Sequence, residues 1–260
     1  MSSLKVFLAE FIGTFALVFV GAAAGVYSGS LGLLGIALAH GLTLAVFAYA
    51  YGHISGTHIN PAVTLGLAAN GNIKWSDAVV YWFAQLLGAV AAAFTLHLFL
   101  NPLSPAAIAG AATTGGLTAD FPWHALGVEA LLTFFLVNTV LHTAVDGKAG
   151  PFAGLAIGTT LAIAIIAGGP LTGASLNPAR SFGPALVMYV VDKGNSDVLS
   201  YMFYLIYFVG PFIGAILAVL LYQVFKYEPV NIDEEEDMEV VEVVQEKPVR
   251  KPAARKSTRK

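Results

Sequence analysis

Six apolar stretches, each long enough to cross a lipid bilayer as a helix, constrain this chain more than any other feature. They cover about residues 4–27, 33–51, 78–100, 124–145, 152–169 and 199–225. Roughly 20 apolar residues cross a bilayer as a helix, which satisfies its own backbone hydrogen bonds there. The chain is 57% hydrophobic and 11% charged, whereas a soluble domain usually has about 25% charged residues. The sequence therefore predicts an all-α integral membrane protein.

The second half of the chain repeats the first. The pattern Glu10-x3-Thr14 in the first span recurs as Glu129-x3-Thr133 in the fourth span. Because each repeat holds three spans, the halves, about 1–100 and 124–226, must enter the membrane from opposite sides. Such inverted repeats occur in transport proteins, whose site lies where interrupted segments of the two halves meet.

A tripeptide that occurs twice marks the interrupted segments: Asn60-Pro61-Ala62 and Asn177-Pro178-Ala179. Asparagine is a good helix N-cap and proline fits the first helical position, so each copy predicts a helix start. The apolar run after each copy is too short to span a bilayer, and such a half-helix must be buried in protein or line a watery cavity. Two half-helices from opposite faces should meet N-terminus to N-terminus, each carrying about half a positive charge.

The two capping asparagines are the first candidate site residues. If the side-chain oxygens of Asn60 and Asn177 accept backbone N–H groups, the side-chain NH2 of each is expected to point into the lumen as a donor. That centre favours a molecule that presents acceptor lone pairs, and it repels cations and protons.

Two carboxylates and one guanidinium lie within the predicted membrane region. Glu10 and Glu129 each cost about 2.5–3.5 kcal/mol at a helix centre and need partners inside the protein. They are either proton-coupling groups or structural acceptors for the non-helical approach to each half-helix, and their matching places favour the structural role. Arg180 shares a helix face with Asn177 and is expected to face the pore, the alternative being a salt bridge to a buried carboxylate.

Several kinds of site are not expected. The chain has no cysteine, which excludes disulfides and thiolate chemistry. No nucleophile–base pair and no metal-ligand spacing is found, so neither an enzyme, a metal site nor a cofactor is predicted. Basic patches interleaved with aromatic residues are also missing, which argues against a nucleic-acid partner.

Charge is concentrated at the C-terminal end. Residues 1–226 hold six Lys/Arg and seven Asp/Glu, whereas residues 227–260 hold seven and nine. We therefore predict a transmembrane domain over 1–226 and a disordered, charged tail over 227–260. The tail is expected to be solvated, and the alternatives are contact of its basic end with anionic lipid or a regulatory role. The lysines of the connections, except Lys193, fall on the side of the tail, so both termini are predicted to be cytoplasmic.

These motifs resemble those of the aquaporin, or major intrinsic protein, family over residues 4–226. The segments that carry the resemblance are 9–14 (AEFIGT), 53–64 (HISGTHINPAVT) and 175–185 (SLNPARSFGPA). It implies six transmembrane helices plus two half-helices, a homotetramer in the lipid bilayer and passive single-file permeation through each subunit. It also implies that backbone carbonyls line the pore opposite an apolar wall: those of Gly56, Thr57 and His58, and of Gly173, Ala174 and Ser175.

The resemblance further implies an outer selectivity filter. Its four positions here are His40, Ile165, Ala174 and Arg180, a set similar to that of plant tonoplast members, many of which pass ammonia or urea besides water. Glycerol channels of the family differ at the places of Ser181 and Ala185. The expected substrates are therefore water and other small neutral solutes such as ammonia. A glycerol or small-polyol facilitator, a proton-coupled secondary transporter and a closed structural pore are the alternatives.

The terminal segments bear on the compartment. The short N-terminus and the acidic-then-basic tail are unlike plant members of the family. The cell membrane, plasma or inner, is therefore expected, and the vacuolar membrane is the alternative.

Overall fold

The computed structural model describes residues 3–100, 102, 110–191 and 199–226, so the predicted tail, 227–260, lies outside the described residues. The helices of the first repeat are α1 (Ser3–Val26), α2 (Ser28–Ser55), α3 (Pro61–Ala69) and α4 (Trp75–Leu100). Those of the second are α5 (Pro122–Val140), α6 (Ala153–Thr172), α7 (Pro178–Val191), α8 (Tyr201–Tyr204) and α9 (Gly210–Lys226). Two π-helical stretches, Leu141–Val145 and Leu205–Val209, extend α5 and join α8 to α9, and a 3-10 turn, Gly150–Phe152, precedes α6.

Six segments of the described chain are long and apolar enough to cross a membrane. They are Ser3–Val26, Ser28–Ser55, Trp75–Leu100, Pro122–Val145, Gly150–Thr172 and Tyr201–Lys226. The predicted class, an all-α membrane protein with six spans, two half-helices and an inverted repeat, is confirmed. The boundaries differ most at α2, where Gly32 takes a φ of 62° and interrupts the helix. The predicted start at residue 33 is therefore the point at which regular helix resumes.

The half-helices begin where the repeated tripeptide predicts. α3 and α7 both start at the proline that follows the capping asparagine. They have 9 and 14 residues, and at about 1.5 Å per residue neither reaches across a hydrocarbon core of about 30 Å. A path across the bilayer therefore needs both half-helices, one from each half of the chain.

The two repeats pack against each other along α2 and α6. A Cβ on Gly41 would lie 2.5 Å from the carbonyl oxygen of Gly158, and a Cβ on Gly158 would lie 2.3 Å from the carbonyl oxygen of Gly41. Small residues allow such close backbone approach in membrane proteins. Because the contact is reciprocal, this crossing lies on the pseudo-two-fold axis that relates the repeats.

Candidate functional site

The two asparagines cap the half-helices with their side-chain oxygens. Oδ1 of Asn60 accepts from the backbone N–H of Ala62 at 2.8 Å. Oδ1 of Asn177 accepts from the backbone N–H groups of Ala179 and Arg180, at 3.0 and 3.2 Å. Both asparagines are buried, so these hydrogen bonds satisfy donors that water does not reach.

The amide nitrogens of the same two residues join the repeats. Nδ2 of Asn60 donates to the carbonyl oxygen of Leu176 at 2.8 Å, and Nδ2 of Asn177 donates to that of Ile59 at 2.9 Å. The capping pattern alone predicts that each side-chain NH2 points into the lumen, and it does not predict this contact with the opposite repeat. One hydrogen of each amide makes this contact with the opposite repeat, which leaves a second hydrogen on each nitrogen.

The non-helical segment that leads into each half-helix is called the approach. Its backbone conformation is unusual and is the same in both repeats. Gly56 and Gly173 end the long helices with a φ of 82°. Positive φ angles recur at the following non-glycine residues: Thr57 (51°), Ile59 (40°), Ala174 (43°) and Leu176 (54°). A left-handed conformation costs such residues about 1–2 kcal/mol each. Strain at the same places in both repeats requires strong local contacts to hold it.

Glu10 supplies such contacts in the first repeat. Its Oε1 accepts from the Ser55 hydroxyl at 2.6 Å and from the His58 N–H at 2.9 Å. Its Oε2 accepts from the Ile59 N–H at 2.7 Å and from the Gln85 amide at 2.8 Å. The fully buried carboxylate thus bridges two successive backbone N–H groups of the strained approach.

Glu129 makes the equivalent contacts in the second repeat. Its Oε1 accepts from the Thr172 hydroxyl at 2.7 Å and from the Ser175 N–H at 2.9 Å, and its Oε2 accepts from the Leu176 N–H at 2.8 Å. It is also fully buried. These are the contacts that a structural acceptor makes.

Two tyrosines, one in each repeat, bind the backbone next to the same approach. The hydroxyl of Tyr81 donates to the carbonyl oxygen of Ser55 at 2.6 Å, and that of Tyr207 donates to the carbonyl oxygen of Thr172 at 2.7 Å. Neither tyrosine is among the site residues predicted from the sequence. A signal was present, because each tyrosine lies seven residues before a Gly-Ala pair in the last span of its repeat, Gly88-Ala89 and Gly214-Ala215.

A narrow cavity passes the two asparagines. The centre of a water-sized sphere can occupy about 50 Å³ of it. One water needs roughly 10–15 Å³ by this measure, so the cavity has room for a few waters. One wall is apolar and is formed mainly by Leu17, Leu44, Val63, Leu67, Leu136, Val140, Ile157 and Leu161. The other wall is the polar approach, residues 56–60, with Ser175 and Asn177. The predicted pore residues that are not among those lining this cavity are Pro61, Ala62, Ile165, Gly173, Ala174, Pro178 and Ala179.

His40 and Arg180 line the same cavity and contact each other. Nδ1 of His40 lies 2.9 Å from the carbonyl oxygen of Ile36, and because that oxygen only accepts, the proton is on Nδ1. Nε2 is therefore an acceptor, and it receives the Nε–H of Arg180 at 3.3 Å. The two predicted filter residues are thus brought together by one hydrogen bond.

Thr113 is a site residue that the sequence analysis missed. Nη1 of Arg180 donates to its hydroxyl, and so does the Ser181 hydroxyl at 2.9 Å. Thr113 lies between α4 and α5, in a segment that packs on the second approach: a Cβ on Gly173 would lie 2.8 Å from the backbone nitrogen of Thr114. No motif marks Thr113, so no sequence pattern could have identified it.

An inverted repeat with two opposed half-helices around a water-sized cavity defines a membrane channel. The chain matches the family model described as "Major intrinsic protein" over residues 1–222, and it belongs to that family. Members of this family are passive channels and not enzymes.

Relatives that are named for different functions are similar to this chain. The aquaporin AqpM of Methanothermobacter marburgensis is 43% identical over 244 residues, covering 83% of this chain and 95% of the relative. The aquaporin TIP1-2 of Musa acuminata is 40% identical over 233 residues, covering 85% and 86%. The glycerol uptake facilitator protein-like 6 of Lactiplantibacillus plantarum is 42% identical over 230 residues, covering 86% and 100%.

A solved structure shows the same fold. The aquaglyceroporin of Plasmodium falciparum superposes with a TM-score of 0.75 at 24% identity, covering 85% of this chain and 96% of that one. At this identity the likeness concerns the fold alone.

Proposed function

We propose that this protein is a passive channel for water that also passes ammonia or another small neutral solute and excludes protons and ions. The observation that carries the proposal is the pair of capping amides beside the cavity. Asn60 and Asn177 cap two opposed helix N-termini, each of which carries about half a positive charge. Such a centre repels cations, while the remaining amide hydrogens donate to the oxygen of a neutral molecule.

The same centre explains how protons would be refused. A water that accepts from the free amide hydrogens of Asn60 and Asn177 has its own hydrogens directed outward, toward its neighbours in the file. The waters on either side are then oriented in opposite directions. A proton cannot hop through this point, because the central water offers no free lone pair along the file.

The proposed selectivity filter, which discriminates between solutes, consists of His40, Ile165, Ala174 and Arg180. Arg180 offers donors at a narrow point, and its hydrogen bond to Nε2 of His40 occupies the acceptor of that ring. The carbonyl oxygens of Gly56, Thr57 and His58 and of Gly173, Ala174 and Ser175 are proposed to accept from permeating molecules. These oxygens would replace part of the hydration that a small polar solute loses when it enters the pore.

Proton-coupled transport is less well supported. The two oxygens of Glu10 accept four hydrogen bonds and those of Glu129 accept three, all from groups of the protein. A carboxylate that exchanges protons during transport needs access to the file, and neither glutamate is among the residues that line the cavity.

Glycerol is the second candidate substrate, favoured by the similarity to the glycerol uptake facilitator protein-like 6. The residues Ser181 and Ala185 support water over glycerol by resemblance. Purified protein in proteoliposomes separates the two: stopped-flow light scattering should show osmotic water permeability well above that of empty vesicles, with a low temperature dependence and no need for a proton gradient. A water permeability equal to that of empty vesicles would contradict the proposal, and glycerol uptake as fast as that of water would favour the alternative.

The assembly and the membrane are part of the same proposal. We infer a homotetramer with one pore per subunit in the cell membrane, with both termini cytoplasmic and residues 1–226 as the channel domain. Large apolar side chains remain exposed on the outer helix faces, among them Leu42, Phe83 and Leu98, and are available for lipid and neighbouring subunits. Light scattering of the purified protein tests the mass, and reporter fusions to each terminus test the orientation.

A further inference from the structure

We propose that Gly21 of α1 is a specificity-determining residue of the filter: its lack of a side chain seats His40 against α1 and so keeps the pore open beside Arg180. The inference rests on the proposed function. It concerns a residue that lies outside the repeated motifs and outside the four filter positions.

The contact between Gly21 and His40 is closer than any side chain would permit. A Cβ built on Gly21 would lie 2.2 Å from Nε2, 2.5 Å from Cδ2 and 2.6 Å from Cε1 of His40. The three nearest atoms thus all belong to the imidazole ring. The ring occupies the space that the first carbon of a side chain at position 21 would need.

Helix packing does not require this glycine. At Gly88, for comparison, the nearest atom to a built Cβ is the backbone oxygen of Phe11 at 2.4 Å, as expected where two helix backbones meet. Aligning Glu10 with Glu129 makes Val140 the counterpart of Gly21, and aligning Gly41 with Gly158 makes Ile157 the counterpart of His40. The second repeat therefore accommodates a valine at the same place, opposite an aliphatic side chain.

The displaced ring would enter the cavity. His40 lines the cavity and Gly21 does not, so the ring stands between the two. To reach ordinary contact at 3.4 Å from the 2.2 Å position, a Cβ on residue 21 would require Nε2 to move by 1.2 Å. Nε2 is also the atom that accepts from Arg180, at 3.3 Å, so a shift of this size alters the geometry of that hydrogen bond.

The test uses four variants in proteoliposomes: Gly21→Ala, His40→Ala, the double variant Gly21→Ala/His40→Ala, and Gly127→Ala as control. Gly127 is an exposed glycine of α5 whose built Cβ meets nothing within 4 Å. We expect Gly21→Ala to lower the osmotic water permeability about tenfold, which corresponds to about 1.4 kcal/mol on the barrier and lies within the usual cost of overpacking. Gly127→Ala should match the wild type.

The double variant separates a role in seating His40 from a role in packing. If Gly21 acts through His40, the double variant should regain water permeability and have the same ratio of urea to water permeability as His40→Ala alone. The melting temperature, Tm, gives a readout without transport: Gly21→Ala should lower it, and the second substitution should restore it.

Each outcome bears on the inference. An unchanged Gly21→Ala variant, or an equal loss with and without His40, would overturn it. If Gly21→Ala does not reconstitute but the double variant does, the clash with His40 is the cause and the inference holds. If neither variant folds, Gly21 serves packing alone and the inference is wrong. A wild-type protein without water permeability would instead refute the proposed function, while the Tm series would still report whether His40 is seated on Gly21.

Discussion

Replacing Glu129 by glutamine should destabilise the fold without abolishing permeation. The two carboxylate oxygens of Glu129 each accept from a different backbone N–H, that of Ser175 at 2.9 Å and that of Leu176 at 2.8 Å. A glutamine side chain has one oxygen and one NH2 group, so in either orientation a donor faces one of these N–H groups. Backbone groups cannot rotate to relieve this, whereas the Thr172 hydroxyl can.

The magnitude follows from one buried donor left without an acceptor, which costs about 1–3 kcal/mol. For a chain of this size, about 1 kcal/mol corresponds to roughly 2–4 °C in Tm, so Glu129→Gln should lower Tm by about 2–12 °C. Thermal unfolding of the purified protein measures this shift, and stopped-flow measurements on the same preparation give the water permeability. Asp120→Asn is the matched control, since it removes an exposed carboxylate and should leave Tm within about 1–2 °C, in keeping with small effects of surface substitutions.

The opposite result would refute the structural role of this carboxylate. If Glu129→Gln kept the wild-type Tm but lost transport, Glu129 would be a functional proton carrier, as in the secondary-transporter alternative. If Tm and transport were both unchanged, the hydrogen bonds to Ser175 and Leu176 would not hold the approach.

Three further predictions concern the pore. Thr113→Ala should free one nitrogen of Arg180 and raise the ratio of urea to water permeability a few-fold, whereas Thr113→Ser keeps the hydroxyl and should match the wild type; equal ratios in both variants would show that Thr113 does not position Arg180. Arg180→Ala should admit larger or charged solutes in a proteoliposome solute panel, and an unchanged panel would mean that the filter lies elsewhere. Thiol-directed mercurials should leave water permeability unaffected because the chain has no cysteine, and reversible block would reveal another mercury site.

The fold was predictable because its main determinants are local or repeated. The length of each apolar span and the capping of Asn60 and Asn177 follow from neighbouring residues alone. The repeat then supplied the long-range arrangement, since the opposed entry of the halves follows from three spans per repeat. Glu10 and Glu129 were predicted as structural acceptors for the same reason: equal places in both repeats indicated equal partners.

The remaining features depend on distances that no local pattern encodes. The amide of Asn60 donates to Leu176, 116 residues away, and only the three-dimensional meeting of the half-helices creates that contact. Thr113 reaches Arg180 from a connection that has no counterpart in the other repeat. The contact between His40 and Gly21 could not be predicted from the sequence, because a glycine in a glycine-rich membrane chain first suggests helix packing.

The symmetry of the lining is itself informative about where selection takes place. Near the asparagines the two repeats contribute matching side chains, Leu17 with Leu136 and Leu44 with Leu161.

Farther along the cavity this match is lost, since His40 corresponds to Ile157 and Arg180 to Val63. Under the proposed function, refusing protons requires that water be oriented equally toward both sides, which two equivalent amides provide. Selection among solutes has no such symmetry requirement. The highest of several barriers in series sets the permeation rate, so a single polar constriction is sufficient. The apolar side chains of Ile157 and Val63, the counterparts of His40 and Arg180, therefore need not form a second filter. His40 of the first repeat and Arg180 of the second together form the one filter.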